Sequence, residues 1–256
     1  MYNIRTIAPT IASLLDIPKF TDAEPIPEVL DRSGGTVDRV LMYNPDAVAW
    51  WIFEKYHALF EPILQDSLIL PMESVMPSVT PVCFASIYSG LMPEDHGIRS
   101  YTKPVLTCET IFDALIKAGK KPVICSTGTD SISMIFRERD MEYYIFDTPD
   151  EVNAKAEELI RLNNHDLIVA YNGNYDSTMH KNGPEAEVSL DALRHNVAAY
   201  GHLTAVAEEA WGKAGLKYAA GFITDHGCHE IDGQCGSHGL DMPEDMTVVH
   251  LWNFNR

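Results

Sequence analysis

The sequence predicts an α/β protein with a mostly parallel central sheet and helices on both faces. Three observations predict it. Short β-branched or apolar runs alternate with longer helical patterns, the order that βαβ units require. The 256 residues are 46% apolar and 22% charged, enough for one substantial core. No repeat, low-complexity tract or long linker divides them, so residues 1–256 read as a single domain.

Taken in order, a short helix at Ala8–Leu15 comes first, inside an amino-terminal segment 1–30. Thr21–Thr36, rich in Pro, Gly and acid, reads as an extended loop. Strands are expected at Arg39–Asn44, Ser67–Leu70, Pro122–Cys125, Tyr143–Phe146, Asp166–Tyr171, Tyr218–Thr224 and Thr247–Trp252. Helices are expected between them at Ala47–Leu59, Val82–Ser89, Glu109–Ala118, Asp130–Arg137, Pro149–Leu162 and Ala186–Ala214.

The chain carries 37 acidic residues against 19 basic, a net charge of −18. A field of that sign repels phosphate backbones and anionic membranes, which argues against a nucleic-acid polymer or a membrane as partner. An anionic substrate would need bound cations to reverse the field locally. No apolar run approaches the roughly 18 residues of a membrane-spanning helix. Five irregularly spaced cysteines favour free thiols in a reducing compartment, hence a cytoplasmic location.

In such a sheet the site lies beyond the carboxyl ends of the strands. Asp46 follows the first strand, Asp176 and His180 the fifth, and Asp225-His226-Gly227 the sixth, with His238 shortly before the last. Singly, each has a plain reading: Asp46 as the cap of a helix from Ala47, Asp176/His180 as a surface i, i+4 pair, Asp225-His226-Gly227 as a turn. Together they place three carboxylates and three imidazoles on one rim. Mixed Asp/His ligation suits Zn²⁺, with Mn²⁺ as the alternative, and six groups suffice for two ions. Thr80 precedes Pro81 at a helix start, where a hydroxyl either caps the helix or serves as a nucleophile favoured by the positive end of the dipole.

Pro77-Ser78-Val79-Thr80-Pro81, followed by Tyr88-Ser89-Gly90-Leu91-Met92-Pro93-Glu94-Asp95-His96-Gly97-Ile98, resembles the nucleophile segment of the alkaline phosphatase superfamily, in its type I phosphodiesterase/nucleotide pyrophosphatase branch. Asp176-x-x-x-His180, Thr224-Asp225-His226-Gly227 and Gly236-Ser237-His238-Gly239 follow in the family's order. The resemblance runs from about Arg39 to Trp252. It implies an alkaline phosphatase-like fold and two divalent ions, one held by Asp176, His180 and His238, the other by Asp46, Asp225 and His226. Asn44 is the rival of Asp46, but aligning Leu41–Ala47 with the family pattern puts Ala47 where the family has Gly.

The activity implied is cleavage of a phosphate diester or pyrophosphate, in a small anionic ester, through a phosphothreonyl intermediate on Thr80. A phosphomonoesterase or mutase of the same superfamily, or a non-catalytic metal-binding scaffold, is the alternative. The family's transition-state Asn falls near Ser100 or Tyr101, where a hydroxyl replaces it. Of the aromatic pair that clamps a nucleobase, the first is Pro81 here while Tyr171 is present. The chain is short for the family, which implies a minimal cap. Ile4–Pro18 is similar to a helix that members carry near the carboxyl terminus, so segment 1–30 is expected beside the strand Thr247–Trp252, in this chain or in a neighbouring subunit of a homo-oligomer.

Overall fold

The computed structural model describes residues 1–255. Its strands are β1 (Tyr2–Asn3), β2 (Arg39–Pro45), β3 (Leu68–Glu73), β4 (Pro122–Thr127), β5 (Glu142–Phe146), β6 (Leu167–Asn172), β7 (Tyr218–Ile223), β8 (His229–Ile231), β9 (Cys235–Ser237) and β10 (Thr247–Phe254). The helices are α1 (Ile7–Leu14), α2 (Pro27–Ser33), α3 (Trp50–Lys55), α4 (His57–Leu64), α5 (Thr80–Ser89), α6 (Pro93–His96), α7 (Ile111–Lys117), α8 (Ser131–Ile135), α9 (Pro149–Leu162), α10 (Asn174–Asn182), α11 (Glu187–Ala207) and α12 (Pro243–Met246). All five cysteines are free, and no helix among the described residues is long and apolar enough to cross a membrane.

Eight strands form one sheet in the order β1-β3-β10-β7-β2-β6-β4-β5. Neighbours are parallel except where β10 runs antiparallel to β3 and β7. Side chains alternate between two core layers, as period-two geometry demands. Val40 and Met42 of β2 face one layer with α1, α5, α7 and α8, while Leu41 and Tyr43 face the other with α3, α4, α9 and α11. A sheet covered on both faces gives strands that are apolar throughout, which is why β2, β6 and β7 read so clearly. Segment 1–30 docks on its own chain: β1 pairs with β3, α1 packs against α5 and α7, and α2 reaches β10.

Three expectations need correction. The helix expected over Ala47–Leu59 starts only at Trp50 and breaks between α3 and α4. Its first amides are captured elsewhere: Ala47 N–H donates to Asp225 Oδ1 (3.3 Å), Val48 N–H donates to Thr224 Oγ1 (3.0 Å), and Ala47 adopts φ +65°. The Thr21–Thr36 loop contains α2, with Pro27 in its first turn and Gly34 as a left-handed C-cap. The helix expected to reach Ala214 ends at Ala207 and passes into a π turn, Glu208–Gly212.

Candidate active site

Thr80 is not the N-cap of α5; Val79 is, and Thr80 is the first helical residue. The amides of Val82 and Cys83 both go to the Val79 carbonyl, and Pro81 has none. Dipole and Thr80's own N–H are therefore what the helix start offers an anion, fewer donors than its position alone promised. The Thr80 hydroxyl, spared from capping, lies 3.4 Å from Asp46 Oδ2 and 3.3 Å from His226 Nε2.

The structure brings together all six residues expected as metal ligands. Asp46, directly after β2, faces His226 Nε2 at 3.3 Å, and Asp225, directly after Thr224 at the end of β7, does the same at 3.3 Å. On the other side, Asp176 Oδ1 in the first turn of α10 lies 3.3 Å from His180 Nε2 and 3.4 Å from His238 Nε2. The two imidazoles approach to 3.1 Å, and His238 stacks on His226 with ring centroids 3.9 Å apart. Metal-capable triads on this geometry are Asp46/Asp225/His226 and Asp176/His226/His238, with His180 alongside the second. Asn44 is committed elsewhere: its amide donates to Ile223 O and its oxygen accepts from Tyr88, tying β2 to β7 and α5.

Each histidine has its Nδ1 against a backbone carbonyl: His180 on Gly236 (3.0 Å), His226 on Gly227 (3.0 Å), His238 on Ser78 (2.9 Å). A carbonyl only accepts, so Nδ1 carries a proton and each Nε2 faces the site, where it offers a lone pair to a cation once any proton on it is displaced. Asp46 Oδ1, Asp176 Oδ1 and Asp225 Oδ2 are buried there without hydrogen-bond partners. Lone pairs and orphan carboxylate oxygens turned on one another repel unless cations stand between them, so the donor set fits two divalent ions.

The electrostatics express the same crowding. Burial, and then the Asp176 charge, raises the Asp46 carboxyl, and burial with the Asp46 charge raises Asp225 well above the carboxylate range. Burial works against ionised Asp176 too, but the facing imidazoles of His180 and His238, at 3.3 and 3.4 Å, outweigh it and hold Asp176 low. The Asp176 carboxylate beside it pushes His180 up to about 9, and His226 is driven well below its ordinary value by burial and by His238.

The two expected substrate contacts differ in kind. Tyr101 is 60% exposed; partial burial, and then the charges of Asp46 and Asp176, raise its hydroxyl. Tyr171 is only 3% exposed; its ring meets Phe84 edge-on and its hydroxyl donates to Asp46 Oδ2. A buried ring cannot offer a face to a nucleobase, so Tyr171 holds Asp46 rather than stacking on substrate. His96 bridges to Ser86 Oγ (3.0 Å) and accepts from Ile98 N–H, fixing the turn after α6.

Two contributors were missed in the sequence. Asp130 follows β4, whose strand-end position was available as a signal; its carboxyl is raised to about 6 by burial, with Asp176 adding to it. It borders a cavity of about 440 Å³ that also touches Thr127, Phe146, Asn174 and Ser177, beside Asp176. Trp51 is the second: its indole donates to Cys228 O (2.8 Å), two residues past His226.

Comparison with known proteins agrees with this geometry. Residues 40–110 match the family model described as type I phosphodiesterase/nucleotide pyrophosphatase. No curated protein matches the sequence. Among solved structures, murine ectonucleotide pyrophosphatase/phosphodiesterase 5, an inactive variant in complex with AMP, aligns at TM-score 0.62 and 16% identity, over 76% of this chain and 58% of that one. Phosphonoacetate hydrolase from Sinorhizobium meliloti, in complex with phosphonoformate, aligns at 0.57 and 17%, over 77% and 59%. The C-terminal periplasmic domain of phosphoethanolamine transferase EptC from Campylobacter jejuni aligns at 0.61 and 13%, over 86% and 80%. The chain thus spans 58% of the length of the murine protein, and at these identities the likeness is one of fold. With that fold, and with the family match over residues 40–110, the chain resembles the alkaline phosphatase superfamily in its type I phosphodiesterase/nucleotide pyrophosphatase branch.

Proposed function

We propose that this protein is a two-metal phosphohydrolase that cleaves a phosphate diester or pyrophosphate bond through a phosphothreonyl intermediate on Thr80. The observation that carries the reading is the Thr80 hydroxyl, free of any capping bond and set 3.3–3.4 Å from His226 and Asp46. A structural metal site has no use for it.

Asp176, His180 and His238 would hold one ion and Asp46, Asp225 and His226 the other, Zn²⁺ being favoured by the mixed Asp/His set. When bound, such ions neutralise phosphoryl oxygens and lower the proton affinity of a hydroxyl or water. Thr80 Oγ1 attacks phosphorus in line with the departing oxygen; the new P–O bond forms on Thr80 as the bond to the leaving group breaks, and the hydroxyl proton goes to the departing oxygen. Water then attacks the same phosphorus, and Thr80 leaves as its hydroxyl. Tyr171 keeps Asp46 oriented throughout, and the exposed Tyr101 would offer a hydroxyl to the phosphate ester.

The test is turnover of bis(p-nitrophenyl) phosphate against p-nitrophenyl phosphate by protein loaded with Zn²⁺ or Mn²⁺, with a chelated control. Chelator-sensitive turnover preferring the diester is expected, and Thr80→Ala abolishes it with metal content and melting temperature nearly unchanged. Preference for the monoester moves the assignment to phosphatases or mutases. Full turnover by Thr80→Ala removes the threonine from the chemistry.

A further inference from the structure

We infer that Asp245 is a positioning residue for the paired histidines, clamping the chain on both sides of the β8–β9 hairpin so that His226 and His238 keep their separation. The inference rests on the reading of those histidines as metal ligands. Asp245 has no solvent exposure and sits in the short turn α12, seven residues past His238 and nineteen past His226.

Its two carboxylate oxygens are divided between the two arms. Oδ2 accepts from Leu240 N–H at 2.8 Å, two residues past His238. Oδ1 meets His229 Nδ1 at 2.7 Å, three residues past His226. The backbone of the same turn completes the grip: Asp245 O accepts from Gly227 N–H at 2.7 Å and Glu244 O accepts from Cys228 N–H at 3.0 Å. Met246 O accepts from Ser74 N–H at 2.7 Å, and Ser74 Oγ donates to Asp225 O at 2.7 Å, so the turn also reaches the segment leading to Thr80.

A buried carboxylate is an expensive way to fill a turn, because its desolvation must be offset by the donors it gathers. An apolar side chain would pack α12 without that cost. What it could not do is hold an amide from one arm and an imidazole from the other at fixed distances. Outer groups of this kind set ligand orientation, and their loss characteristically costs metal affinity.

The test titrates Co²⁺ into wild type, Asp245→Asn and Asp245→Ala under chelator competition, reading stepwise affinity, the visible absorption of bound Co²⁺ and the Tm of metal-free protein. In Asp245→Ala at least one Co²⁺ should bind about 10- to 100-fold more weakly with an altered spectrum. Asp245→Asn, which keeps a carbonyl oxygen for Leu240 N–H, should recover part of both. Wild-type affinity and spectrum in Asp245→Ala, whatever its Tm, would overturn the inference and leave Asp245 a purely structural residue. If that variant does not fold, His229→Phe removes one arm; a several-fold loss supports the clamp and unchanged Co²⁺ binding overturns it. A wild type that binds no Co²⁺ overturns the metal reading itself, a result distinct from any difference between variants.

Discussion

The hydroxyl of Tyr171 on β6 donates to Oδ2 of Asp46, just past the neighbouring strand β2. Asp46 N–H donates to Asn172 O at 3.2 Å, so the residue is fixed through both side chain and backbone. Burial and the Asp46 charge raise the phenol well above its ordinary value, which keeps it a donor at any working pH. The same bond lowers the proton affinity of Asp46 and so favours the ionised form that a cation needs. Tyr171→Phe preserves the ring and removes only this bond. Metal affinity should fall by about tenfold or more, with turnover falling in parallel and KM for nucleotide and non-nucleotide esters unchanged. A raised KM confined to nucleotide esters, with metal affinity intact, would return Tyr171 to a stacking role.

Metal binding should release protons, and the site says when. Burial raises Asp46 to about 7 and raises Asp225 in the same direction, and the Asp176 carboxylate raises His180 to about 9, so each holds its proton more tightly when no cation is present. Groups with raised folded-state values contribute stability that is present at low pH and lost as pH rises through those values. Chelator-treated protein should therefore lose stability from pH 3.8 to about 7 as Asp46 gives up its proton and from 6.5 to about 9 as His180 does, while Zn²⁺ affinity climbs, since cations displace the same protons. Melts with and without chelator should diverge across those ranges. Calorimetry in two buffers of different ionisation enthalpy should find about one to two protons released near pH 7.5.

The sheet was legible because strands buried on both faces are written as unbroken apolar runs, and the six polar strand-end residues stood out against them. Local pattern could not show that Thr224 and Asp225 take the amides of Val48 and Ala47, contacts across some 180 residues, and so misplaced the start of α3. Tyr171 carried a period-two signal placing it on the inner face of β6, beside Phe84. That signal weighed against an open stacking ring, but only the fold revealed Asp46 as its partner. Pro27 and Gly34 marked α2 by a rule available in the sequence. Compositional bias toward Pro, Gly and acid obscured it.

Gly227 is required by close approach rather than by backbone conformation. A Cβ there would lie 1.9 Å from Glu244 O and 3.0 Å from the Ala49 Cβ. The carbonyl cannot retreat without losing its bond from Cys228 N–H. Gly227→Ala should cost about 3 kcal/mol or more, or prevent folding, since overpacking is compounded by broken backbone bonds beside His226. Gly128 is the control, because its nearest neighbour would be 3.7 Å from a Cβ. Gly128→Ala should leave stability unchanged or raise it by up to about 1 kcal/mol in urea unfolding.

His250 supplies the acid limb of stability. Wholly buried in β10, it donates through Nε2 to Thr224 O at 2.7 Å, just before Asp225, while Nδ1 has no partner. Burial lowers it from 6.5 to about 4. A base depressed in the folded state contributes stability that is full above the unfolded value and is lost as pH falls through the folded one. At about 1.4 kcal/mol per pH unit, the drop from 6.5 to about 4 is worth roughly 3 kcal/mol. His96, lowered to about 4 chiefly by its own burial, acts in the same direction. His250→Gln keeps a donor for Thr224 but does not titrate. It should be the less stable protein at pH 7, and the difference should close or reverse by pH 4 as the wild-type ring is forced to take up a proton. Comparing the two melting curves at each pH cancels the carboxylate contributions common to both. A constant gap from pH 7 to 4 would show that His250 is not charged on unfolding, and would transfer the acid limb to His96.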